Sequence, residues 1–280
     1  MPSYAREGEG EAVAVPTDDH GRMRADAIPP LTERTIICIQ AGNVSTGAFD
    51  PATEICARAH DAGSWVHVDG AFGLWAAVAP ARKHLLAGFR EADSWATDGH
   101  KWLNVPYDSG IALVREPKHV FNALAVDASY YQLTAAREPC HYTPELSRRA
   151  RGVEIWAAIR SLGRAGIADL IERNCQQAAY VSERLRHEGY RVLNDVILNQ
   201  VLVSFGDAET TRRVIAAIQA DGTCWAGGTT WHGQAAMRIC FSSWATTQSD
   251  VEMSVDAILR AAKRESERAN ESPNGNRKPQ

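Results

Sequence analysis

The sequence predicts an α/β domain followed by a smaller α+β domain, and three observations carry this prediction. An apolar, β-branched run at residues 35–40 is followed by a helical pattern and a second strand-like run at residues 65–68, which is the order of a βαβ unit. After residue 150 the order changes to helix–strand–strand–helix–strand–helix, which is typical of an α+β arrangement. The 280 residues are 45% hydrophobic and 23% charged, as in a globular protein of one or two domains.

The patterns of the first half predict the larger sheet. Strands are predicted at residues 11–16, 35–40, 65–68, 93–97 and 111–114, a turn at 18–22, and helices at 25–31, 50–62 and 81–88. Asp50 is the predicted N-cap of the second helix, because proline at the next position favours a first helical turn. The strands on either side of that helix should be parallel, and the strand at 111–114 should be antiparallel.

The second half is predicted to form its own small sheet. Helices are predicted at residues 151–162, 167–187, 208–220 and 249–263, and strands at 190–193, 199–205 and 237–241. The last helix begins with a capping box, Ser249 to Glu252. Residues 126–145 show little pattern, and such long loops are either functional or disordered. The polar end of the chain should be disordered.

The composition excludes several classes of protein. A net charge of −4 provides no basic surface for nucleic acid, and no apolar run is long enough to span a membrane. The N-terminal residues lack the apolar core of a signal peptide. The six cysteines show no C-x-x-C spacing, so we expect reduced thiols, no metal site and a cytoplasmic protein.

Lys101 is unusual among the five lysines of the chain, because the other four lie among charged or polar residues. Lys101 begins the apolar run Lys-Trp-Leu-Asn-Val-Pro. Removal from water lowers the pKa of an amine, and the neutral amine is a nucleophile toward carbonyl groups. The alternative is a structural lysine that lies along an apolar surface with its amine in water.

Asp69 directly follows the predicted strand at residues 65–68 and is followed by small residues. Ligands of α/β sheets bind at the carboxyl ends of the strands, which is where this carboxylate would lie. A buried lysine and a buried aspartate in one site suggest pyridoxal phosphate (PLP). The lysine would hold the aldehyde as a Schiff base, and the aspartate would keep the pyridine nitrogen protonated. The alternative for Asp69 is a turn or helix-capping residue.

Several stretches resemble the group II PLP-dependent amino-acid decarboxylases, which include the glutamate and aromatic amino-acid enzymes. The most specific are His67-Val-Asp-Gly-Ala-Phe-Gly73 and Thr97-Asp-Gly-His-Lys-Trp-Leu-Asn-Val105. The others are residues 40–51, 147–152 and 230–239, and the resemblance covers about residues 10 to 262. It implies a PLP-dependent transferase-like large domain of fold type I, an amino-acid substrate and a homodimer.

The resemblance also implies roles for single residues around Lys101. Ala71 would pack flat against the cofactor ring, and His100 would touch the phosphate. Asp98 stands where the family usually has a small polar residue that supports the same pocket. A structural role is the alternative for each of them: a tight-turn residue for Ala71, a backbone-bonded histidine for His100 and a turn aspartate for Asp98.

Residues outside these two motifs receive roles from the same resemblance. Asn43 and Thr46 would hydrogen-bond the cofactor, unless they only form a turn. A loop tyrosine would reach the neighbouring subunit's site and return a proton after carbon dioxide leaves; Tyr142 is the expected donor, and Tyr130 and Tyr131 stay open. The basic pair at residues 148–149 and Arg238, a possible clamp for the substrate carboxylate, are further candidates, with surface charge as the alternative for the pair.

Family members are longer at the N-terminal end, so the resemblance implies an N-terminally incomplete large domain. Residues 1–125 would be the C-terminal part of the PLP-binding domain, 126–146 a mobile active-site loop, 147–263 a connecting helix and the small domain, and 264–280 a disordered tail. The glycine-rich turn that cradles the phosphate in the family has no convincing counterpart. The leading hypothesis is therefore an amino-acid decarboxylase that acts through a Lys101 Schiff base, and absence of the N-terminal region would be expected to impair its activity. The alternatives are an inactive fragment, one half of a split enzyme, or another fold-type-I activity such as an aminotransferase, and the amino acid is not predicted.

Overall fold

The computed structural model of the protein describes residues 12–125 and 137–271, which contain two four-stranded sheets. The first sheet comprises β1 (Ile36–Gln40), β2 (Trp65–Asp69), β3 (Ser94–Asp98) and β4 (Gly110–Val114), in that spatial order. β1, β2 and β3 are parallel, and β4 is antiparallel to β3. The predicted βαβ unit and the antiparallel fourth strand are therefore confirmed.

The second sheet comprises β5 (Arg191–Val192), β6 (Gln200–Ser204), β7 (Gly227–Trp231) and β8 (Gln234–Cys240), in the order β5-β6-β8-β7. All of its neighbouring strands are antiparallel, which confirms the α+β prediction. β7 is missing from the sequence-based prediction. It begins with Gly227-Gly228, and glycine is a poor strand former that supplies no side chain to the pattern.

Six α-helices surround the two sheets within the described residues. They are α1 (Ala52–Asp61), α2 (Gly99–Trp102), α3 (Pro117–Leu124), α4 (Gly152–His187), α5 (Ala208–Asp221) and α6 (Gln248–Glu271). α1 joins β1 to β2 and buries Ile55, Cys56 and Ala59 in the core of the first sheet. None of the helices in the described ranges is long and apolar enough to cross a membrane.

α4 combines the two helices that are predicted at residues 151–162 and 167–187. Its helical geometry is interrupted at Gly163, whose φ of 61° and ψ of −177° are accessible essentially to glycine alone. Before the interruption, Val153 and Trp156 expose 62% and 64% of their surface. After it, the helix contributes buried residues to both hydrophobic cores, so the two parts of α4 have different surroundings.

Three short predicted elements differ from the structure. The described part of the first predicted strand, residues 12–16, is not a strand, although the turn after it is closed by a bridge between Thr17 and Met23. The helices predicted at 25–31 and 81–88 shorten to single 3-10 turns, Ala25–Ala27 and Lys83–Leu86. Stretches of seven or eight residues form marginal helices, because nucleation fixes several residues for one hydrogen bond, and Pro29-Pro30 also interrupts the first stretch.

The predicted disordered tail is wrong for residues 264–271, because α6 continues through Glu271. Glu265 is buried and forms ion pairs with Arg268 at 3.0 Å and Arg213 of α5 at 3.4 Å. A carboxylate with such partners can be buried, whereas the sequence pattern suggests only a polar tail. The remainder of the predicted tail, residues 272–280, lies outside the described residues.

Asp50 has a different role from the predicted helix N-cap. Pro51 occupies the N-cap position of α1, and the Asp50 carboxylate accepts hydrogen bonds from the backbone N–H groups of Met23 and Gln40, both at 2.6 Å. Burial raises the pKa of Asp50, and the two N–H groups oppose this effect. Asp50 therefore ties the segment before β1 to the first sheet.

The face of the first sheet opposite α1 carries a hydrogen-bonded trio of side chains. The Ser94 hydroxyl accepts from Trp65 Nε1 at 2.8 Å and lies 2.8 Å from His67 Nδ1. The indole can only donate, so the hydroxyl proton is free to reach Nδ1 of a neutral imidazole. Burial lowers the pKa of His67, and nearby Asp69 opposes this effect.

Asp50→Ala is expected to lower the free energy of unfolding by about 2–4 kcal/mol, because two N–H groups lose their acceptor. Urea denaturation measures this change. Asp26→Ala, which removes an exposed ion pair with Arg24, is the control and should leave the midpoint unchanged. Equal midpoints for Asp50→Ala and the unaltered chain would contradict the role of Asp50.

His67 is expected to make stability depend on pH. The unfolded chain binds a proton at this residue near pH 6.5, whereas the folded chain binds it at a lower pH. The stability that neutral His67 contributes is thus fully present above the pKa of this residue in the unfolded chain. It is lost as the pH falls through the lower pKa of the folded chain. His67→Asn retains an acceptor for Ser94 but does not titrate, so its urea midpoint should fall less between about pH 7.5 and pH 5. His187→Asn alters a highly exposed histidine and should behave as the unaltered chain.

Candidate active site

The carboxyl ends of β2 and β3 bring the two principal predicted residues to one edge of the sheet. Asp69 is the last residue of β2, and Lys101 lies in α2 immediately after β3. The N–H of Asp98 donates to the carbonyl oxygen of Ala71 at 2.9 Å. The turn after β2 therefore lies directly against the start of the turn that carries Lys101.

Lys101 is less buried than its sequence context predicts. Its side chain is 44% exposed, and Nζ lies 2.9 Å from Asp98 Oδ2. The apolar residues that follow it, Trp102 and Leu103, are buried in the core instead. Successive residues of a helix point in different directions. Lys101 therefore points toward the surface, although the apolar residues after it point into the core.

Asp69 is likewise exposed, in contrast to the prediction of a buried carboxylate. Its Oδ1 accepts from the N–H of Ala71 at 3.1 Å, a contact typical of an aspartate in a turn. Its side chain projects from the same face of the sheet as Asp98, because residues 69 and 96 are paired and positions two apart share a face. Both Asp69 and Lys101 are thus open to a ligand at this edge.

His100 and Asp98 form a polar chain that ends at Lys101. His100 Nδ1 lies 3.0 Å from both the amide nitrogen and the carbonyl oxygen of Ser109, and Nε2 lies 3.6 Å from Asp98 Oδ2. The contact with backbone is the one expected of a structural histidine. Asp98 is more than a turn residue, because its carboxylate lies between the imidazole and the amine.

Asn43 and Thr46 shape the loop that follows β1. Asn43 Oδ1 accepts from the N–H groups of Ser45 at 2.9 Å and Thr46 at 3.2 Å, and Thr46 Oγ1 donates to the carbonyl of His20 at 2.7 Å. Turn formation accounts for these contacts, and a contact with the cofactor remains a prediction. The loop does lie beside the site, because its first residue, Ala41, donates to the carbonyl of Asp69.

Tyr142 ends a 3-10 turn, Pro139–Tyr142, and lines a cavity of about 840 Å³. His67 and Gly110 also line this cavity, and Gly110 is paired with Asp98 in the sheet. Among the described residues, those that line this cavity do not include Lys101. The role of Tyr142 as a proton donor remains a prediction, and Tyr130 and Tyr131 lie outside the described residues.

Two of the three candidate arginines, Arg149 and Arg238, donate to backbone carbonyl groups near the site. Arg149 forms an ion pair with Glu154 and donates to the carbonyl of Asp108 at 3.0 Å. Arg238 donates to the carbonyl of Val44 at 3.1 Å, which places the guanidinium group over the loop after β1. Arg148 lies at the wall of the cavity that contains Tyr142.

Asn104, for which no sequence motif predicts a role, connects the lysine-bearing turn to the second half of the chain. Its side chain donates to the carbonyl of Ser242 at 2.8 Å and accepts from the N–H of Trp244 at 3.3 Å. One signal in the sequence is informative: Asn104 is the only polar residue in the run from Trp102 to Pro106.

Comparison with known proteins identifies similar chains. L-tyrosine/L-DOPA decarboxylase 2 of Lophophora williamsii is 30% identical over 180 residues, covering 60% of this chain and 34% of that protein. Aromatic-L-amino-acid decarboxylase of Drosophila lebanonensis is 29% identical over 181 residues, covering 61% of this chain and 45% of that protein. The chain thus spans between a third and a half of the length of these relatives.

A solved structure shows the same fold. Oryza sativa TDC, determined with PLP and tryptamine, superposes with a TM-score of 0.77 at 21% identity, over 82% of this chain and 51% of that chain. The family model for the pyridoxal-dependent decarboxylase conserved domain matches residues 3–206. This match covers more than half of the sequence, and the chain therefore belongs to the pyridoxal-dependent decarboxylase family.

Proposed function

We propose that this chain carries out decarboxylation of an amino acid, with PLP bound covalently through Lys101. The observation that carries the proposal is the position of Lys101 and Asp69 at adjacent carboxyl ends of parallel strands, in a member of this family. Ligands bind at this end of α/β sheets. The chain spans less than half of the length of the relatives described above. That it has the activity of a whole enzyme is therefore also part of the proposal.

The residues at this edge are suited to the two reactive groups of PLP, its aldehyde and its pyridine nitrogen. The exposed amine of Lys101 would bond to the aldehyde carbon, and the exposed carboxylate of Asp69 would pair with the pyridine nitrogen. Ala71 lies between them in sequence and carries only a methyl group, which leaves room for a flat ring. His100 and the loop with Asn43 and Thr46 are the proposed contacts of the phosphate or the ring hydroxyl.

When bound, the cofactor supplies a conjugated ring that accepts the electron pair released as carbon dioxide leaves. Asp69 would hold the proton on the pyridine nitrogen and thereby keep the ring electron-poor. Asp98, next to Lys101 and His100, would hold the amine at the edge of the sheet. Tyr142 would return the proton to the substrate carbon, across the subunit boundary of a homodimer.

An aromatic amino acid is the proposed substrate class. The two relatives described above are named for tyrosine, DOPA and aromatic amino acids. Arg238, over the loop that follows β1, is the proposed partner of the substrate carboxylate.

Incubation with PLP is expected to produce a visible absorbance band distinct from that of free PLP, and borohydride reduction should attach the cofactor to Lys101. Peptide mass spectrometry locates the attachment. Lys101→Ala should lose both signals, because it removes the amine, whereas Lys83→Ala, which alters an exposed lysine, should keep both. Attachment to other lysines in the unaltered chain, without any at Lys101, would contradict the proposal.

Carbon dioxide release from a panel of aromatic and acidic amino acids is the test of the activity. Asp69→Asn is expected to reduce the rate by about 100-fold or more, because the ring loses its anionic partner. Asp61→Asn, at an exposed position of α1, should release carbon dioxide at the unaltered rate. If the PLP-loaded chain releases none from any of the amino acids, the alternative of an inactive fragment or a split-enzyme half replaces the proposal.

A further inference from the structure

Two segments that are distant in sequence meet beside Lys101. We call residues 99–105 the lysine turn and residues 242–246, which follow β8, the β8–α6 segment. The side-chain amide of Asn104, in the lysine turn, is both a donor and an acceptor of hydrogen bonds with the β8–α6 segment. Its Nδ2 donates to the carbonyl of Ser242 at 2.8 Å, and its Oδ1 accepts from the N–H of Trp244 at 3.3 Å. The same Nδ2 donates to the carbonyl of Trp102, so one amide holds both segments.

The backbone at Asn104 has the left-handed conformation, with a φ of 54°. Asparagine adopts this conformation more readily than most other residues do. The conformation costs free energy, and it persists where surrounding contacts favour it. The contacts with residues 242–244 provide this support.

A second connection, which is buried, joins the same segments through α4. Trp102 Nε1 donates to Asn174 Oδ1 of α4 at 2.9 Å, and Asn174 Nδ2 lies 3.0 Å from Gln177 Oε1 and 3.5 Å from the carbonyl of Ser243. Gln177 Nε2 donates to the carbonyl of Thr246 at 2.9 Å. The chain of contacts thus runs from the neighbour of Lys101 to Ser243 and Thr246 of the β8–α6 segment.

The side chains in this connection are almost fully removed from water: Trp102 is 1%, Asn174 0% and Gln177 2% exposed. A buried amide that loses its partner is costly, so the arrangement that satisfies all of these groups is strongly favoured. Trp102 directly follows Lys101 in sequence, so a displacement of the Trp102 backbone would displace the backbone of Lys101 as well. The network is thus suited to fixing the backbone from which the Lys101 side chain extends.

We propose that Asn104 and Asn174 are positioning residues for Lys101, which fasten the lysine turn to the β8–α6 segment so that the small domain determines the position of the amine. The inference rests on the proposed role of Lys101 in binding PLP. It assigns no contact with cofactor or substrate to either asparagine. Their effect is transmitted through the backbone of residues 99–105.

The first experiment is amide hydrogen exchange on the chain without cofactor. Asn104→Gly keeps the left-handed backbone but removes the amide, and it should accelerate exchange in peptides that cover residues 99–105 and 242–246. Peptides from β6 should exchange at an unaltered rate. Asn104→Asp retains the acceptor for Trp244 and should give an intermediate rate, and Asn122→Ala, an exposed amide of α3, should change nothing. Unaltered exchange at both segments in Asn104→Gly would overturn the proposal.

The second experiment uses PLP with borohydride reduction and compares attachment at Lys101 with attachment at Lys83, Lys118 and Lys263 of the same molecule. Misplacement of a reacting group by about 1 Å can reduce rates by as much as 100-fold, so we expect the Lys101 share to fall by about tenfold or more in Asn104→Gly. Asn174→Leu should have the same effect. Because Asn174 is buried and its replacement can unfold the chain, the exposed Asn104 carries the test.

The two experiments separate this inference from the proposed function. If the unaltered chain and Asn104→Gly attach PLP equally at Lys101, the positioning role is overturned and the proposed function stands. If the unaltered chain attaches none at Lys101, the proposed function and the positioning role in cofactor binding both fail. In that case, faster exchange at both segments in Asn104→Gly would still support the tie between them.

Discussion

The parallel pairing of β1, β2 and β3 is the constraint on which the rest of the site depends. Parallel strands place all of their carboxyl ends at one edge, so the residues that follow each strand meet there without any specific attraction between them. Asp69 and Lys101 are brought together in this way, and the loop after β1 joins them through Ala41. The later contacts, from Asp98 to Lys101 and from Arg238 to Val44, adjust positions that the pairing has already set.

The placement of Asp69 and Lys101 after neighbouring strands is predictable from the sequence, because strand ends and motifs are local features. The exposure of Lys101 is not predictable in this way. The run around it is apolar because of Trp102 and Leu103, and these two side chains point into the core. The contact of Asn104 with Ser242 joins residues 138 positions apart, and no local pattern encodes it. The buried Glu265 escapes prediction for the same reason, since its arginine partners include one on another helix.

The boundary between the two halves is less distinct in the structure than in the sequence. After its interruption, α4 contributes Ile167 and Ile171 to the core of the first sheet, and Val181 and Leu185 to the core of the second. One helix is thus shared by both hydrophobic cores. The β8–α6 segment is anchored to this helix through Asn174 and Gln177, close to the point where the cores meet. The position of the small sheet and that of the lysine turn are therefore coupled by packing as well as by hydrogen bonds.

The interruption at Gly163 separates the first part of α4 from the part that is shared by the two cores. The first part is preceded by Arg151, whose guanidinium binds Asp108 at 2.9 Å in the loop just after the lysine turn. It exposes a row of apolar side chains, from Val153 to Leu162, on its outer surface. The exposed apolar row and the loop that follows Lys101 are therefore joined at the start of the helix, through the ion pair of Arg151 with Asp108.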